Sequence, residues 1–85
     1  MWIDVSFVLK SKRRKDILIL LETPRTPTFL AKQMKSSLAN VSLKLGDLKE
    51  EGLIRCVNPN DRKGRIYELT DKGKKALAKI KEIEK

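Results

Sequence analysis

Three basic residues fall within four positions of a segment that is otherwise rich in turn-forming residues. Arg62, Lys63 and Arg65 lie in the run 58–65, where Asn, Pro, Asp and Gly residues supply the turn. Apolar residues flank the run on both sides, and this pattern predicts a short β-hairpin. Cations at the tip of a hairpin are suited to bind the phosphate backbone of a duplex or to enter its minor groove.

A second group of candidate contact residues lies on a predicted helix over residues 37–51, with Ser37 as its N-cap and Gly52 after its end. At about 100° per residue, one buried stripe of this helix contains Leu38, Val41, Leu45 and Leu48. The other side becomes a reading surface that is formed by Ser37, Ala39, Asn40, Ser42, Leu43 and Lys44. This surface would enter the major groove of DNA.

The side chains of the reading surface match the edges of base pairs. The amide of Asn40 can donate and accept at the same time, as the N6 and N7 positions of adenine require. Asn40 is therefore the best candidate for reading a base. Ser37 or Ser42 could add a single hydrogen bond, and Leu43 could meet the methyl group of a thymine.

Contacts to the sugar–phosphate backbone are expected from residues outside this helix and outside the hairpin. They are Arg13, Arg14, Thr26, Thr28 and Lys35. The residues from Lys12 to Lys15 are all basic and fall in the first turn of a helix, which is the unfavourable sign for the helix macrodipole unless an anion lies nearby. A charged face that is exposed to solvent explains the same cluster equally well.

Capping signals define the two helices that come before the reading helix. Ser11 is the N-cap of a helix over 12–22, which Pro24 prevents from continuing. Thr26 is followed by a proline, and this pair is a strong start for a second helix that runs to about residue 34. With the reading helix, these two helices form a three-helix core.

Two residues of the helix-turn-helix segment depart from common preferences. Lys35 occupies a position that usually holds glycine, and a lysine in the left-handed conformation costs about 1 kcal/mol. The turn at Lys35 and Ser36 is therefore expected to be longer than usual or shaped differently. Gly46 lies in the middle of the reading helix, where it costs about 1 kcal/mol compared with alanine and is expected to allow a bend or close packing.

The order of the elements predicts one domain over residues 1–85 of the α+β class, mainly α. Its parts are an N-terminal packing or dimer segment at 1–10, a helix-turn-helix at 26–51, a wing at 53–70 with strands 53–58 and 65–69, and a C-terminal helix at 71–85. Thr70 is the N-cap of the last helix. This is the architecture of a winged helix-turn-helix, with a three-helix core, a two-stranded β wing and a C-terminal helix.

Apolar residues at the two chain ends leave two interpretations open. The ends carry Trp2, Val5, Phe7, Leu77, Ile80 and Ile83. Small chains rarely place tryptophan on a loose tail, so the N-terminal segment either packs on its own core or forms a dimer interface. These six residues are expected to form the interface of a homodimer, because symmetric dimers are the commonest oligomers and a two-fold pair would bind half-sites about 34 Å apart.

Charge and composition limit the class of protein. The 85 residues carry a net charge of +9, which favours an anionic partner, although a lysine-rich thermophile protein would have a similar composition. The single cysteine, Cys56, fits a reducing cytoplasm, and the absence of histidine excludes a zinc site or a Cys/His nucleophile pair within one chain. The longest apolar run, 17–21, is too short for a membrane span. No cofactor, metal or membrane partner is expected.

Three sequence features of the C-terminal half occur in a characteristic order. A Gly-Leu-Ile strand start, a Pro-x-Asp-x-x-Gly turn and a Leu-Thr-x-x-Gly helix start lie at 52–54, 59–64 and 69–73. This order resembles the MarR type of regulator. Upstream, residues 14–21 resemble the opening helix of ArsR-type and related archaeal winged-helix proteins. The resemblance implies a cytoplasmic transcriptional regulator that binds double-stranded DNA.

The resemblance also bears on single residues and on ligands. It implies an arginine at the wing tip that reaches the minor groove, with the preceding aspartate steering it. Here Lys63 occupies the arginine position and Arg62 precedes it, so either could take this role and the part played by Asp61 stays open. MarR-type proteins have extra flanking helices for dimerisation and a ligand cavity between them. This chain has little room for either, so no small-molecule ligand is expected.

The residues and the resemblance together predict a sequence-specific DNA-binding regulator. The alternative is a winged-helix protein-interaction module within a larger transcription or replication assembly. Structured RNA is a less favoured partner, because no exposed aromatic pair offers a stacking platform. An enzyme is not expected, because no spacing brings acids and bases together.

Overall fold

The computed structural model describes residues 2–61 and 63–84, and their side chains from residue 4 onward. The helices within these residues are α1 Trp2–Leu9, α2 Lys12–Leu20, α3 Pro27–Met34, α4 Leu38–Glu50 and α5 Asp71–Ile83, and the strands are β1 Ile54–Cys56 and β2 Tyr67–Leu69. Helices α2, α3 and α4 form the three-helix unit and the strands form the wing. Residues of α1, the wing and α5 complete the buried core. The predicted class, α+β and mainly α, and the winged helix-turn-helix architecture are confirmed.

Four helices begin at the hydroxyl residues that the sequence indicated. The side chains of Ser11, Thr26, Ser37 and Thr70 accept hydrogen bonds from the backbone N–H groups three residues later, at 3.4, 3.2, 3.1 and 3.0 Å. Each bond satisfies one donor that the first turn of a helix leaves without a partner. Capping chemistry therefore fixes where α2, α3, α4 and α5 begin.

The turn between α3 and α4 is short, in contrast to the expectation. Lys35 adopts the left-handed conformation, with φ 52° and ψ 44°. The N–H of Ser36 then donates to the carbonyl of Ala31 at 3.0 Å, and Ser37 caps the next helix directly. The lysine tolerates the strain of about 1 kcal/mol that glycine would avoid, because these bonds hold the turn.

The N-terminal segment is a helix that packs on the core of its own chain. Helix α1 contacts α2 and α5, and Val5 and Val8 are buried with 1% and 0% of their surface exposed. Leu77 and Ile80 of α5 belong to the same buried cluster. Packing within the chain therefore accounts for this segment.

This packing contradicts part of the expected dimer interface. Val5, Leu77 and Ile80 are core residues of one chain and offer no surface to a second copy. Phe7 is partly buried, and Ile83 is 47% exposed. The side chain of Trp2 lies outside the described residues.

The wing has shorter strands than expected. Ile54 pairs with Leu69, and Cys56 with Tyr67, in an antiparallel ladder. One more backbone bond follows it, from the N–H of Val57 to the carbonyl of Ile66 at 2.8 Å. A separate bridge joins Arg25 to Tyr67, whose N–H and carbonyl groups both bond to Arg25 at 2.8 and 3.0 Å. The base of the wing is thus hydrogen-bonded to the segment just before α3.

A close backbone approach joins the wing to α5. A β-carbon at Gly73 would overlap the carbonyl oxygen of Leu53, the residue just before β1. The N–H of Thr70 donates to the same oxygen at 3.0 Å, and its hydroxyl donates to the carbonyl of Gly52 at 2.6 Å. Glycine at 73 lets this helix start against the strand. By contrast, a β-carbon at Gly46 would meet no atom of another element within 4 Å, so close packing does not explain this glycine.

Candidate nucleic-acid interface

One side of α4 is exposed along its first two turns. Leu43 is 68% exposed, and Ser37, Ala39, Asn40 and Ser42 are exposed as well, while Lys44 is half-buried. The buried side holds Val41, Leu45 and Leu48, as predicted. The residues that the sequence assigned to a reading surface therefore share one accessible face, and their contact with bases stays a prediction.

Leu38 corrects the predicted buried stripe. It is 50% exposed, although its helical phase is close to that of Leu45. Leu38 is the first residue of α4, and side chains of a helix lean toward its N-terminus. The side chain therefore projects past the end of the packed helix. Periodicity alone misses this, because it treats a helix as having no ends.

A groove runs between the wing and the starts of α3 and α4. Its volume is about 320 Å³, and its lining contains Thr26, Pro27, Thr28, Leu38, Ser42, Lys63, Gly64 and Arg65. We call it the wing-side groove. The structure thus brings the start of α3, where backbone contacts were expected, next to two of the wing cations. Thr28 is exposed, and the half-buried Thr26 accepts its capping bond through the hydroxyl oxygen.

A second groove lies on the opposite flank of α4. Its volume is about 490 Å³, and its lining contains Ser11, Lys12, Arg13, Asn40, Leu43 and Lys44. We call it the α2-side groove, because the N-terminus of α2 forms its outer wall. The exposed face of α4 therefore has cations on both flanks.

The cations that line the two grooves have no acidic partners. In the part of the chain that the structure describes, Lys12, Arg13, Lys44, Lys63 and Arg65 form no ion pair. Acidic residues pair elsewhere, as in Lys15 with Glu84, Lys72 with Asp4 and Lys81 with Glu22. No acid lines either groove. Positive charge is therefore concentrated around the exposed face of α4.

Two neighbouring arginines of α2 have different surroundings. Arg14 donates to the carbonyl of Phe7 at 2.9 Å and to the carboxylate of Asp47 at 3.3 Å, and its guanidinium lies 3.9 Å from the centre of the Phe7 ring. Its expected contact with a phosphate is therefore contradicted, because its donors point into the chain. Arg13 is exposed and donates to the hydroxyl of Ser36 at 3.0 Å. Arg13 and the exposed Lys35 stay candidates for backbone contact.

Asn58 organises the wing loop, a role that the sequence analysis missed. Its side-chain oxygen accepts from the N–H of Ile66 at 2.7 Å, and its side-chain nitrogen donates to the Asp61 carboxylate at 2.9 Å and to the Gly64 carbonyl at 3.1 Å. Beyond the backbone bond from Val57 to Ile66, this side chain takes the place of the strand ladder. Asparagine before a turn is a known signal for such bonds, but the sequence does not show which backbone groups it will reach.

The wing tip is described in part. Lys63 and Arg65 are exposed, whereas Arg62 lies outside the described residues. Arg65 donates to the backbone carbonyl of Asp61 at 2.8 Å, while the Asp61 carboxylate is bonded to Asn58. In this arrangement Asp61 orients Arg65 through its backbone and not through its charge.

Other kinds of site find little support among the described residues. They contain no group of three His, Cys, Asp or Glu side chains that could hold a metal ion. Cys56 is a free thiol, half-buried at the end of β1, at 3.8 Å from the side-chain oxygen of Asn58. None of the described helices has the length and apolar character that a membrane crossing needs.

Solved structures of transcriptional regulators are similar to this chain. BldR from Sulfolobus solfataricus is 28% identical, with 85% of this chain and 53% of that chain covered and a TM-score of 0.76. A mutant of ZitR from Lactococcus lactis is 28% identical, with 85% of this chain and 51% of that chain covered and a TM-score of 0.76. The repressor CouR, bound to a 23-mer DNA duplex, is 30% identical, with 93% of this chain and 58% of that chain covered and a TM-score of 0.78. In its structure with p-coumaroyl-CoA, CouR is 27% identical, with 93% of this chain and 56% of that chain covered and a TM-score of 0.77.

These similarities cover most of this chain but only part of each regulator. The chain spans a little over half the length of the regulators just named. No family model matches the sequence, and no curated protein matches it.

Proposed function

We propose that this chain, a winged-helix protein of the MarR-like type, binds double-stranded DNA and regulates transcription. It acts as a binding protein and not as an enzyme. The DNA-bound structure of the similar repressor CouR supports this proposal. The observation that carries it is the set of cations without acidic partners on both flanks of α4.

Electrostatics explain why this arrangement favours a duplex. Each cation that neutralises a phosphate releases a condensed counterion, and this release drives binding that is independent of sequence. Lys12, Arg13 and Lys44 lie on one flank of α4, and Lys63 and Arg65 on the other. The two flanks would meet the phosphates on the two sides of a major groove, while the exposed face of α4 lies between them.

The exposed face of α4 contains the residues that would recognise bases. We propose that Asn40 bonds to an adenine and that Ser37 or Ser42 adds a single hydrogen bond. The wing then contacts the backbone or the adjacent minor groove through Lys63 and Arg65, with Arg62 at the same tip. Thr28 and Lys35 extend the backbone contacts toward the start of α3 and the turn.

A homodimer stays part of the proposal, with a smaller interface than the sequence indicated. One reading helix covers few base pairs, and a two-fold pair would read two half-sites. Ile83 and Ile19 are 47% and 39% exposed outside the two grooves, and they are candidates for such a contact. Sedimentation of the protein alone and on a duplex measures the stoichiometry directly, and a monomer in both states would exclude the dimer.

A salt titration of binding to a random duplex tests the main proposal. We expect the logarithm of the binding constant to fall linearly with the logarithm of the salt concentration. Exchange of Lys63 and Arg65 for alanine should lower this slope by about 2, since two phosphate contacts are lost. Exchange of the exposed Lys74 and Lys75 on α5 changes the net charge equally but touches neither groove, and it should leave the slope nearly unchanged.

Two outcomes would contradict the proposal. If the folded protein binds no duplex at low salt, the winged helix serves as a protein-interaction module in a larger assembly. If both double variants lower the slope equally, binding follows net charge, and the two grooves are not the interface.

A further inference from the structure

We propose that Leu38 and Leu43 read thymine methyl groups, so that the preferred duplex is rich in A·T pairs where α4 enters the major groove. This inference rests on the proposed function and adds the class of sequence that is bound. It gives Leu38 a role in recognition, in place of the core position that periodicity assigned to it.

The exposure of these leucines is the first observation. The large apolar side chains left exposed among the described residues are Leu9, Ile19, Leu38, Leu43, Val57 and Ile83. The two most exposed, at 68% and 50%, are Leu43 and Leu38, and both lie on α4. The small neighbour Ala39 stands between them on the helix and leaves their side chains accessible.

The positions of the two leucines on the helix are the second observation. They are five positions apart, which corresponds to about 7.5 Å along the helix axis and about 140° around it. Leu38 lines the wing-side groove and Leu43 lines the α2-side groove. A rise of that size equals about two base-pair steps of a duplex. The two side chains can therefore meet methyl groups on different base pairs.

The lack of guanine-reading side chains is the third observation. Guanine is read most often by arginine or lysine at its O6 and N7 atoms. The reading surface contains no arginine, and its one cation, Lys44, is half-buried. Asn40 suits adenine, and the leucines suit the C5-methyl group of thymine. The chemistry of the face therefore favours A·T pairs over G·C pairs.

Replacement of thymine by deoxyuridine tests the inference, because it removes the methyl group and keeps the O4 acceptor. The probe is an alternating adenine–thymine duplex two helical turns long, compared with the same duplex made with deoxyuridine. Each methyl contact should be worth about four-fold in affinity, as expected for one buried methyl group. The protein should thus bind the thymine duplex about four- to sixteen-fold more tightly, with the same salt slope on both.

Protein variants show whether the leucines cause the difference. Leu38→Ala and Leu43→Ala should each reduce the preference for thymine, and the double variant should abolish it. Leu9→Ala removes an exposed apolar side chain that lines neither groove, and it should keep the full preference. A G·C duplex with 5-methylcytosine carries a methyl group at the same groove position, and the wild-type protein should bind it more tightly than the unmethylated duplex.

The outcomes separate this inference from the proposed function. Equal binding of the thymine and deoxyuridine duplexes, with a normal salt slope, would overturn methyl reading and leave DNA binding intact. A preference that survives in the double variant would assign methyl reading to other residues and overturn the role of the leucines. Failure to bind any of these duplexes would refute the proposed function itself.

Discussion

The guanidinium of Arg14 in α2 lies 3.3 Å from the carboxylate of Asp47 in α4, and the same group donates to the carbonyl of Phe7 in α1. One side chain thus connects three helices, including the one that carries the reading surface. Arg13, its neighbour, is exposed and lines the α2-side groove. Adjacent residues of the same type therefore serve different purposes.

This difference gives the first prediction. Arg14→Ala should lower the free energy of unfolding by about 2 kcal/mol, because it removes two charge-assisted hydrogen bonds and the contact with the Phe7 ring. Arg13→Ala should change stability by less than about 0.5 kcal/mol but lower the salt slope of duplex binding by about 1. Urea denaturation and a salt titration of both variants measure these effects. Equal effects of the two variants on stability would contradict the assignment.

A pair of glycines provides the second prediction. Gly73→Ala should destabilise the protein by about 3 kcal/mol or more, because the new methyl group would overlap the carbonyl oxygen of Leu53. Gly46→Ala should raise stability by about 1 kcal/mol, since that position is helical, exposed and open. Thermal unfolding followed by circular dichroism compares the two. A Gly73→Ala protein as stable as the wild type would show that the wing and α5 are not in contact there.

The third prediction concerns the loop of the wing. Asn58→Ala should cost about 1 kcal/mol of stability, because it leaves the N–H of Ile66 without a partner. It should also lower the salt slope by about 1, since the wing cations lose their fixed position. Asn60→Ala, two residues away and exposed, is the control and should match the wild type in both measurements. A normal slope in the Asn58 variant would mean that the loop is ordered by other contacts.

The fourth prediction separates the core from a dimer surface. Ile80→Glu should unfold the monomer or destabilise it by about 4 kcal/mol, because it places a charge in the buried cluster. Ile83→Glu should change the stability of the monomer by less than about 0.5 kcal/mol, since Ile83 is exposed. Denaturation midpoints at several protein concentrations test this. A concentration-dependent midpoint that Ile83→Glu abolishes would support a dimer through the end of α5.

The parts of the fold that local chemistry controls were predictable from the sequence. Ser11, Thr26, Ser37 and Thr70 each cap a helix, because the capping bond spans only three residues. The wing was predictable because glycine, proline and asparagine have strong turn preferences within a short segment. These signals need no knowledge of distant contacts.

The parts that depend on tertiary packing were not predictable. Arg13 and Arg14 look alike in sequence. The positions of Phe7 and of Asp47, 33 residues away from Arg14, make one of them a structural residue. Val5 could have faced a second copy or its own core, and the contacts of α1 with α5 decide for the core. The helical phase of Leu38 predicts a core position, but the end of the helix exposes its side chain.

The bridge between Arg25 and Tyr67 has a consequence for the cost of binding. It holds the base of the wing at a set distance from the start of α3, while Asn58 holds the loop above it. A flexible wing would lose conformational freedom on meeting a duplex, and this loss would oppose the favourable release of counterions. Here the ordering has already taken place during folding. The wing and the exposed face of α4 form a preorganised pair, so little entropy is lost when both engage the same duplex.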